Sequence, residues 1–365
     1  MQADRLQRLA GLLTAENLDA VALIPGSSFR YMTGGSFALM ERPTMLLLPR
    51  RGRAVAIMPF LEAEAWAALG VDAETILWKD EEGFTGAFTA AAALLDAQRI
   101  GVEGLVMRVA ERNALAAAFP AATLLDVQGP LAGLRTVKDA GEIALLRQAV
   151  VWSEQGLART LDAIRIGMTE VEVKSMLIQN LYSFPIDGLS FDPIVLAGGN
   201  AARPHGHARA DYRLAHGDAL LFDFGVTCGF YAADITRTVF VGGVSDEDRA
   251  FYDTVLAANR LGHEIARAGV TAHAVDDAVR GLLERSQFSP FVIHKTGHGL
   301  GLDIHEAPQI MRGNHAKLEA GNIITIEPGL YQPDALGVRI EDNVLITEDG
   351  CESLSTFPRE LRIVG

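Results

Sequence analysis

Asp223 in LLFDFG, Asp234 in YAADITRT, His298 in HKTGHGLG, Glu327 in ITIEPG and Glu341 in VRIEDN are residue types that bind divalent cations. Each is flanked by strand-like or glycine-rich sequence. Four carboxylates drawn into an apolar interior repel one another, so something positive has to sit among them. A pair of divalent cations is the simplest answer. Two such ions roughly 3.5–4 Å apart share a hydroxide that is available near neutral pH. The five side chains therefore predict a hydrolytic dinuclear centre.

Spacing sharpens the expectation. Positions 223 and 234 flank a midpoint between Cys228 and Gly229, with glycine in the turn as a two-residue hairpin prefers. In that register the aspartates lie directly opposite, with Cβ atoms roughly 4.5–5.5 Å apart, where like charges destabilise unless a cation intervenes. Glu327 and Glu341 repeat the arrangement about Asp334, inside QPDALG, where Pro333 and Gly337 are turn residues. Along the second strand Arg339, Glu341 and Asn343 share one face, and Val338, Ile340 and Val344 take the other. His298 supplies the nitrogen, and Gly297, Gly299 and Gly301 around it permit close backbone approach. An oxygen-rich site with one imidazole suits Mn²⁺, Co²⁺, Fe²⁺ or Zn²⁺.

The elements that must carry these groups fall into two parts. Leu6, Leu9, Ala10 and Leu13 share a face of an opening helix. Strand candidates follow at 20–24, 44–48, 54–58, 74–78 and 99–102, separated by Ala- and Leu-rich helical stretches at 61–69, 84–95 and 110–119. Such alternation predicts an α/β domain. Gly34-Gly35 reads as a turn, and no phosphate-cradling glycine motif is present. Gly129-Pro130 marks the expected boundary, giving domains 1–130 and 131–365. A long helix begins near Lys138 and runs to about Ile164; a second starts at Thr169 with Glu172 in capping-box position. After Phe191, strands joined by short turns predict antiparallel pairing, with helices near 246–268 and 272–284. The second domain is thus expected to be α+β, with two related halves because each carboxylate pair sits on a hairpin.

Bulk properties exclude several classes. The 365 residues include 32 basic and 46 acidic side chains, a net charge of −14 and a pI near 5.1. General binding to nucleic acid or anionic membrane wants a basic face, which this balance argues against. Hydrophobic residues at 49% and charged residues at 21% are those of a packed protein. Cys228 and Cys351 fit neither a disulfide framework nor a zinc spacing, and suit a reducing compartment. The opening MQADRLQRLAGLL lacks the apolar core of a signal peptide, and no run reaches the ~18 apolar residues of a membrane span. A soluble, cytoplasmic protein is expected.

The order Asp, Asp, His, Glu, Glu in the words DFG, DITRT, GHGLGLDIHE, IEPG and RIEDN resembles the pita-bread metallopeptidases. More narrowly it is similar to their proline-specific branch, Xaa-Pro dipeptidase (prolidase) and aminopeptidase P. LRTVKDAGEIALLRQA looks like the helix that opens their catalytic domain, and the first third looks like their creatinase-type N-terminal domain. Methionine aminopeptidases share the ligand set but generally lack that domain. The resemblance implies two divalent ions per chain, Mn²⁺ by preference. Asp223 would chelate one, Asp234 and Glu341 would bridge, and His298 with Glu327 would hold the other. It also implies substrate or transition-state contacts from His205 in RPHGHA, His294 and His305, with Arg339 near the site.

The implied reaction is hydrolysis of an Xaa-Pro bond in a proline-containing di- or oligopeptide, with Glu327 relaying the proton and His305 and His205 donating to developing charge. A homodimer is implied as well. SFALMERPTMLLLP resembles a prolidase N-terminal segment, which favours dipeptidase over aminopeptidase. Arg339, Arg30 or Arg42 would hold the free carboxylate. Two other classes stand as alternatives: a creatinase-like hydrolase working without metals, and a non-catalytic peptide-binding relative. Both sit less well with five retained ligand positions.

Overall fold

The computed structural model describes residues 3–365. Contacts divide the chain into two compact units that part between Arg135 and Thr136.

The first unit holds a six-stranded sheet. Its strands are β1 (Ala20–Leu23), β2 (Met45–Pro49), β3 (Ala54–Pro59), β4 (Ala73–Trp78), β5 (Arg99–Val102) and β6 (Thr123–Asp126). Their spatial order is β4-β3-β2-β1-β5-β6. The β1–β5, β5–β6 and β3–β4 pairs are parallel, and β1–β2 and β2–β3 are antiparallel. The five anticipated strands are present within a residue or two at each end. β6 is additional: four residues at a sheet edge carry too short a pattern to stand out. Ser27–Thr33 also forms a helix that the sequence reading leaves unassigned. Gly34 closes it in the left-handed conformation (φ 76°), its amide donating to the Arg30 carbonyl, so Gly34-Gly35 is a helix cap. Gly129-Pro130 lies inside a short helix, Gln128–Gly133.

In the second unit the same order of elements occurs twice: two helices, then antiparallel strands. Ala140–Ala163 and Glu170–Leu181 are the first pair, each opened by a capping box, Asp139 with Glu142 and Thr169 with Glu172. The strands that follow are β7 (Gly188–Leu189), β8 (Ile194–Ala197), β9 (Ala219–Phe224), β10 (Val226–Cys228), β11 (Tyr231–Ala232) and β12 (Ile235–Val241). The second helix pair is Asp246–Ile265 and Ala272–Glu284. After it come β13 (Gly297–Gly299), β14 (Glu306–Ile310), β15 (Ile323–Ile326), β16 (Gly329–Gln332), β17 (Leu336–Arg339), β18 (Asp342–Ile346), β19 (Cys351–Ser353) and β20 (Ile363–Val364). One sheet runs β20-β12-β9-β8 and another β14-β13-β15-β18-β19. Every pairing is antiparallel except β12 with β20, among the described residues.

Alternation along these strands decides what faces the helices. On β9, Leu220, Phe222 and Phe224 join the core built on Leu146, Val150, Leu157 and Leu177 of the first helix pair. Leu221 falls in a separate cluster with Leu196 and Ala201 on the other face, and Asp223 shares that side. Ile235 and Val239 of β12 face the helices, leaving Thr236 and Thr238 on the opposite side. Ile324, Ile326, Val344 and Ile346 pack together in the second half, so Thr325 and Asn343 face away from that core. Each fully buried Leu, Ile or Phe contributes roughly 1.5–3 kcal/mol. That is ample to hold a strand whose other face carries buried carboxylates.

The two carboxylate hairpins differ in register. Gly329 pairs with Arg339 and Ile326 with Asp342, so Glu327 and Glu341 lie opposite as the spacing predicts. Asp334, at the turn, takes φ 55°. In the first hairpin, Asp223 pairs with Thr236, not Asp234. The turn is Gly229-Phe230, both left-handed (φ 54° and 67°), one residue later than expected. Asp234 is therefore a diagonal neighbour of Asp223 on the same face, still within side-chain reach.

β13 is sandwiched between β14 and β15, and its glycines are a packing requirement. A Cβ at Gly297 would stand 2.1 Å from the Thr325 carbonyl oxygen, and one at Gly299 would stand 2.2 Å from that of Ala307. Gly299→Ala is expected to cost about 1–3 kcal/mol of stability. A thermal midpoint equal to that of the parent chain would contradict this packing.

Candidate metal centre

The five predicted ligands converge. Oxygen or nitrogen atoms of Asp223, Asp234 and Glu341 lie within 4.8 Å of one another, as do those of His298, Glu327 and Glu341. A third group joins Asp234, His298 and His305. His298 Nε2 stands 3.4 Å from Glu327 Oε1 and 3.6 Å from Asp234 Oδ2. Its Nδ1 donates to the Gly299 carbonyl at 3.0 Å, which leaves the Nε2 lone pair facing the carboxylates. Burial pushes the His298 imidazole down to about 3, so it is a neutral donor.

The carboxylates are held by their neighbours. Thr236 Oγ1 donates to Glu341 at 2.6 Å and accepts from Arg339 Nε at 2.9 Å. Arg339 also donates to Asp223 and, at 2.8 Å, to the Tyr331 hydroxyl. Asn343 clasps Asp234 from both sides, its amide oxygen accepting from the Asp234 N–H at 3.1 Å and its amide nitrogen donating to the Asp234 carbonyl. From behind, Arg237 donates to the carbonyls of Thr236 (2.9 Å) and Glu341 (2.6 Å) and pairs with buried Asp342 at 2.7 Å. One guanidinium thus locks the strands of Asp234 and Glu341 together. His263 also bonds Asp342, at 3.1 Å.

The electrostatics call for cations. Burial is the first cause raising all four carboxylates. Asp223 is raised despite Arg339 beside it. Asp234 and Glu341 are well above the ordinary range: Glu341, Asp223 and Glu327 add to the rise of Asp234, and Glu327 and Asp223 to that of Glu341. Glu327 reaches about 7, with Arg339 and Lys295 opposing the rise and Asp223 adding to it. Asp223 Oδ1 is buried without a hydrogen-bond partner. An orphaned carboxylate oxygen beside three further carboxylates and an oriented imidazole fits divalent cations.

All of this opens into a cavity of about 1010 Å³ that also includes His205, His294, His305 and Arg339 in its wall. His305 is exposed and stands edge-on to His298, ring centroids 4.3 Å apart. His205 is exposed on the segment between β8 and β9. Buried Glu170 pins that segment, accepting from the N–H groups of Ala197 (2.7 Å) and Arg209 (2.6 Å) and from Asn200 Nδ2 (3.0 Å). His294 and Arg339 are already occupied. His294 Nδ1 contacts the Lys295 carbonyl at 2.6 Å and Nε2 meets the Tyr331 hydroxyl at 2.8 Å, leaving neither nitrogen over for substrate. Burial takes His294 down to about 4. All three Arg339 nitrogens are bonded to protein groups. Tyr331, which the sequence reading passes over, links the two. The signal was available: it shares a strand face with Gly329 and Glu327.

Comparison with known proteins agrees with this architecture. The profile of metallopeptidase family M24 matches residues 144–348, and that of the creatinase/prolidase N-terminal domain matches residues 5–137. A provisionally named dipeptidase of Bacillus subtilis is 31% identical over 363 residues, covering 99% of this chain and 100% of its own. The Xaa-Pro dipeptidase structure from Bacillus anthracis superposes with a TM-score of 0.92 at 30% identity, over 99% of both chains. The X-Pro aminopeptidase from Thermotoga maritima gives 0.85 at 31% identity, over 99% of this chain and 100% of the other.

A carboxylate whose pKa is raised by folding keeps its proton where the unfolded chain has released it. The metal-free fold therefore loses stability as pH climbs through that window, which for Glu327 ends near 7. Bound cations reverse the effect by holding the ligands ionised. The rise in thermal midpoint produced by Mn²⁺ is expected to grow between about pH 5 and about pH 7.5. A rise constant across that range would contradict the assignment.

Proposed function

Because the chain belongs to metallopeptidase family M24, we propose that it hydrolyses the peptide bond before proline, as an Xaa-Pro dipeptidase. The observation that carries the reading is the convergence of four buried carboxylates and the His298 Nε2 lone pair on one cavity. In this reading Asp223, Asp234, His298, Glu327 and Glu341 hold two divalent ions, Mn²⁺ by preference. When bound, such ions supply a hydroxide near neutral pH and polarise the scissile carbonyl.

The protein's own groups do the rest. In this reading Glu327 takes a proton from the attacking water and delivers it to the leaving prolyl nitrogen. His305, and His205 across the cavity wall, donate to the charge that develops on the carbonyl oxygen. Arg339, with Tyr331, Thr236 and His294, positions Asp223 and Glu341. An Xaa-Pro amide has no N–H, so a cavity wall without an amide partner accepts it at no cost. The creatinase-type part is assigned to 1–130 and the catalytic part to 131–365. Two unpaired thiols, Cys228 and Cys351, accord with a cytoplasmic setting, and no helix among the described residues is long and apolar enough to cross a membrane. The reading includes a homodimer.

The Thermotoga maritima aminopeptidase neighbour supports a second reading, removal of one residue from longer Xaa-Pro peptides. Turnover of Ala-Pro against Ala-Pro-Ala separates them: the dipeptidase reading requires Ala-Pro to be strongly preferred, and efficient tripeptide cleavage rejects it. His305→Ala is expected to lower kcat by about 10²–10³ with Mn²⁺ content retained. Loss of an ion from that variant would make His305 a ligand, as its group with Asp234 and His298 allows.

A further inference from the structure

Three cations line the cavity: Arg203, Lys295 and Arg339. Two are matched by carboxylates, Arg339 by Asp223 and Arg203 by Asp334 at 3.3 Å. Lys295 is different. Among the described residues its ammonium has no acidic side chain within ion-pair distance, and its hydrogen bond goes to the neutral Oε1 of Gln309. An amide oxygen orients an ammonium without cancelling its charge.

Both members of the pair are anchored. Gln309 Nε2 donates to the Glu306 carbonyl at 2.9 Å, which turns Oε1 toward Lys295. The Gln309 carbonyl accepts from Asn314 Nδ2 at 2.6 Å. Next to Lys295, the Thr296 N–H donates to buried Asp276 at 2.7 Å. Lys295 lies in the wall of the same cavity as Glu327, His298 and His305. A held ammonium with no ion-pair partner among the described residues, in the wall of that cavity, suits an anion.

Substrate geometry says which anion. In a dipeptide the free carboxylate lies one residue beyond the scissile carbonyl, about 3.8 Å further along the backbone. A longer peptide places a neutral amide there. Building on the peptidase reading, we propose that Lys295, presented by Gln309, receives the C-terminal carboxylate of a dipeptide and so sets the preference for two-residue substrates. The role that the sequence assigned to arginine thus passes to a lysine, because Arg339 is committed to the ligands, Arg42 to Asp80 and Arg30 to the Ser36 hydroxyl.

The test compares Ala-Pro with Ala-Pro-amide as substrates of the Mn²⁺-loaded parent chain, Lys295→Met and Lys295→Arg. The parent should prefer the acid. Lys295→Met should raise KM for Ala-Pro by about ten- to hundredfold, collapsing the acid-to-amide ratio of kcat/KM toward one. Lys295→Arg, which keeps the charge, should retain most of the preference. If Lys295→Met keeps the parent's ratio, or weakens both substrates equally, the ammonium serves only general charge balance and the proposal is overturned. If the parent cleaves neither peptide, the peptidase reading itself fails and takes this inference with it.

Discussion

Mutual repulsion among Asp223, Asp234, Glu327 and Glu341 is the constraint on which the catalytic unit is built. Two like charges about 4 Å apart repel by roughly 4 kcal/mol even at an effective dielectric constant of 20. Among the described residues Arg339 is the one guanidinium bonded to the cluster's carboxylates, and burial still leaves all four raised. A fold that gathers these groups without cations works against itself. The same fold with cations gains what the repulsion had cost, so metal binding and stability are one quantity here.

Much of the surrounding structure is explained by that tension. Asn343 grips the Asp234 backbone, Thr236 holds Glu341, and Arg237 ties the strands of both to Asp342. These contacts fix where the charges sit before any ion arrives, so little is left to reorganise on binding. The helical cores behind the sheets resist the same forces from the other side, through Phe222, Phe224, Ile324 and Ile326. Glycines in β13 then let His298 approach between two strands that leave no space for a side chain.

Most of this was legible in the sequence where local chemistry and tertiary structure agree. The capping box at Thr169, the Glu327–Glu341 register and the gathering of the five candidate ligands follow from residue type and spacing. The first hairpin was misplaced because its turn puts Phe230 at positive φ, a conformation that large side chains rarely adopt. A turn centred on Cys228-Gly229 is the cheaper local choice, and pairing along β9 and β12 overrides it. The contacts that Asn343 and Arg237 make were not legible for another reason. Their roles depend on partners a hundred or more residues away, or on a neighbouring strand, and no local pattern announces those. Arg339 shows the converse: its proximity to the site was readable, but its commitment to Asp223, Thr236 and Tyr331 was not.

Titration of the metal-free protein with Mn²⁺ by calorimetry, alongside Asp234→Asn, tests the central claim most directly. Two ions per chain, with at least one lost or strongly weakened in the variant, is the result that charge repulsion around a shared centre predicts. No binding to the parent chain, or unchanged stoichiometry and affinity in Asp234→Asn, would contradict it.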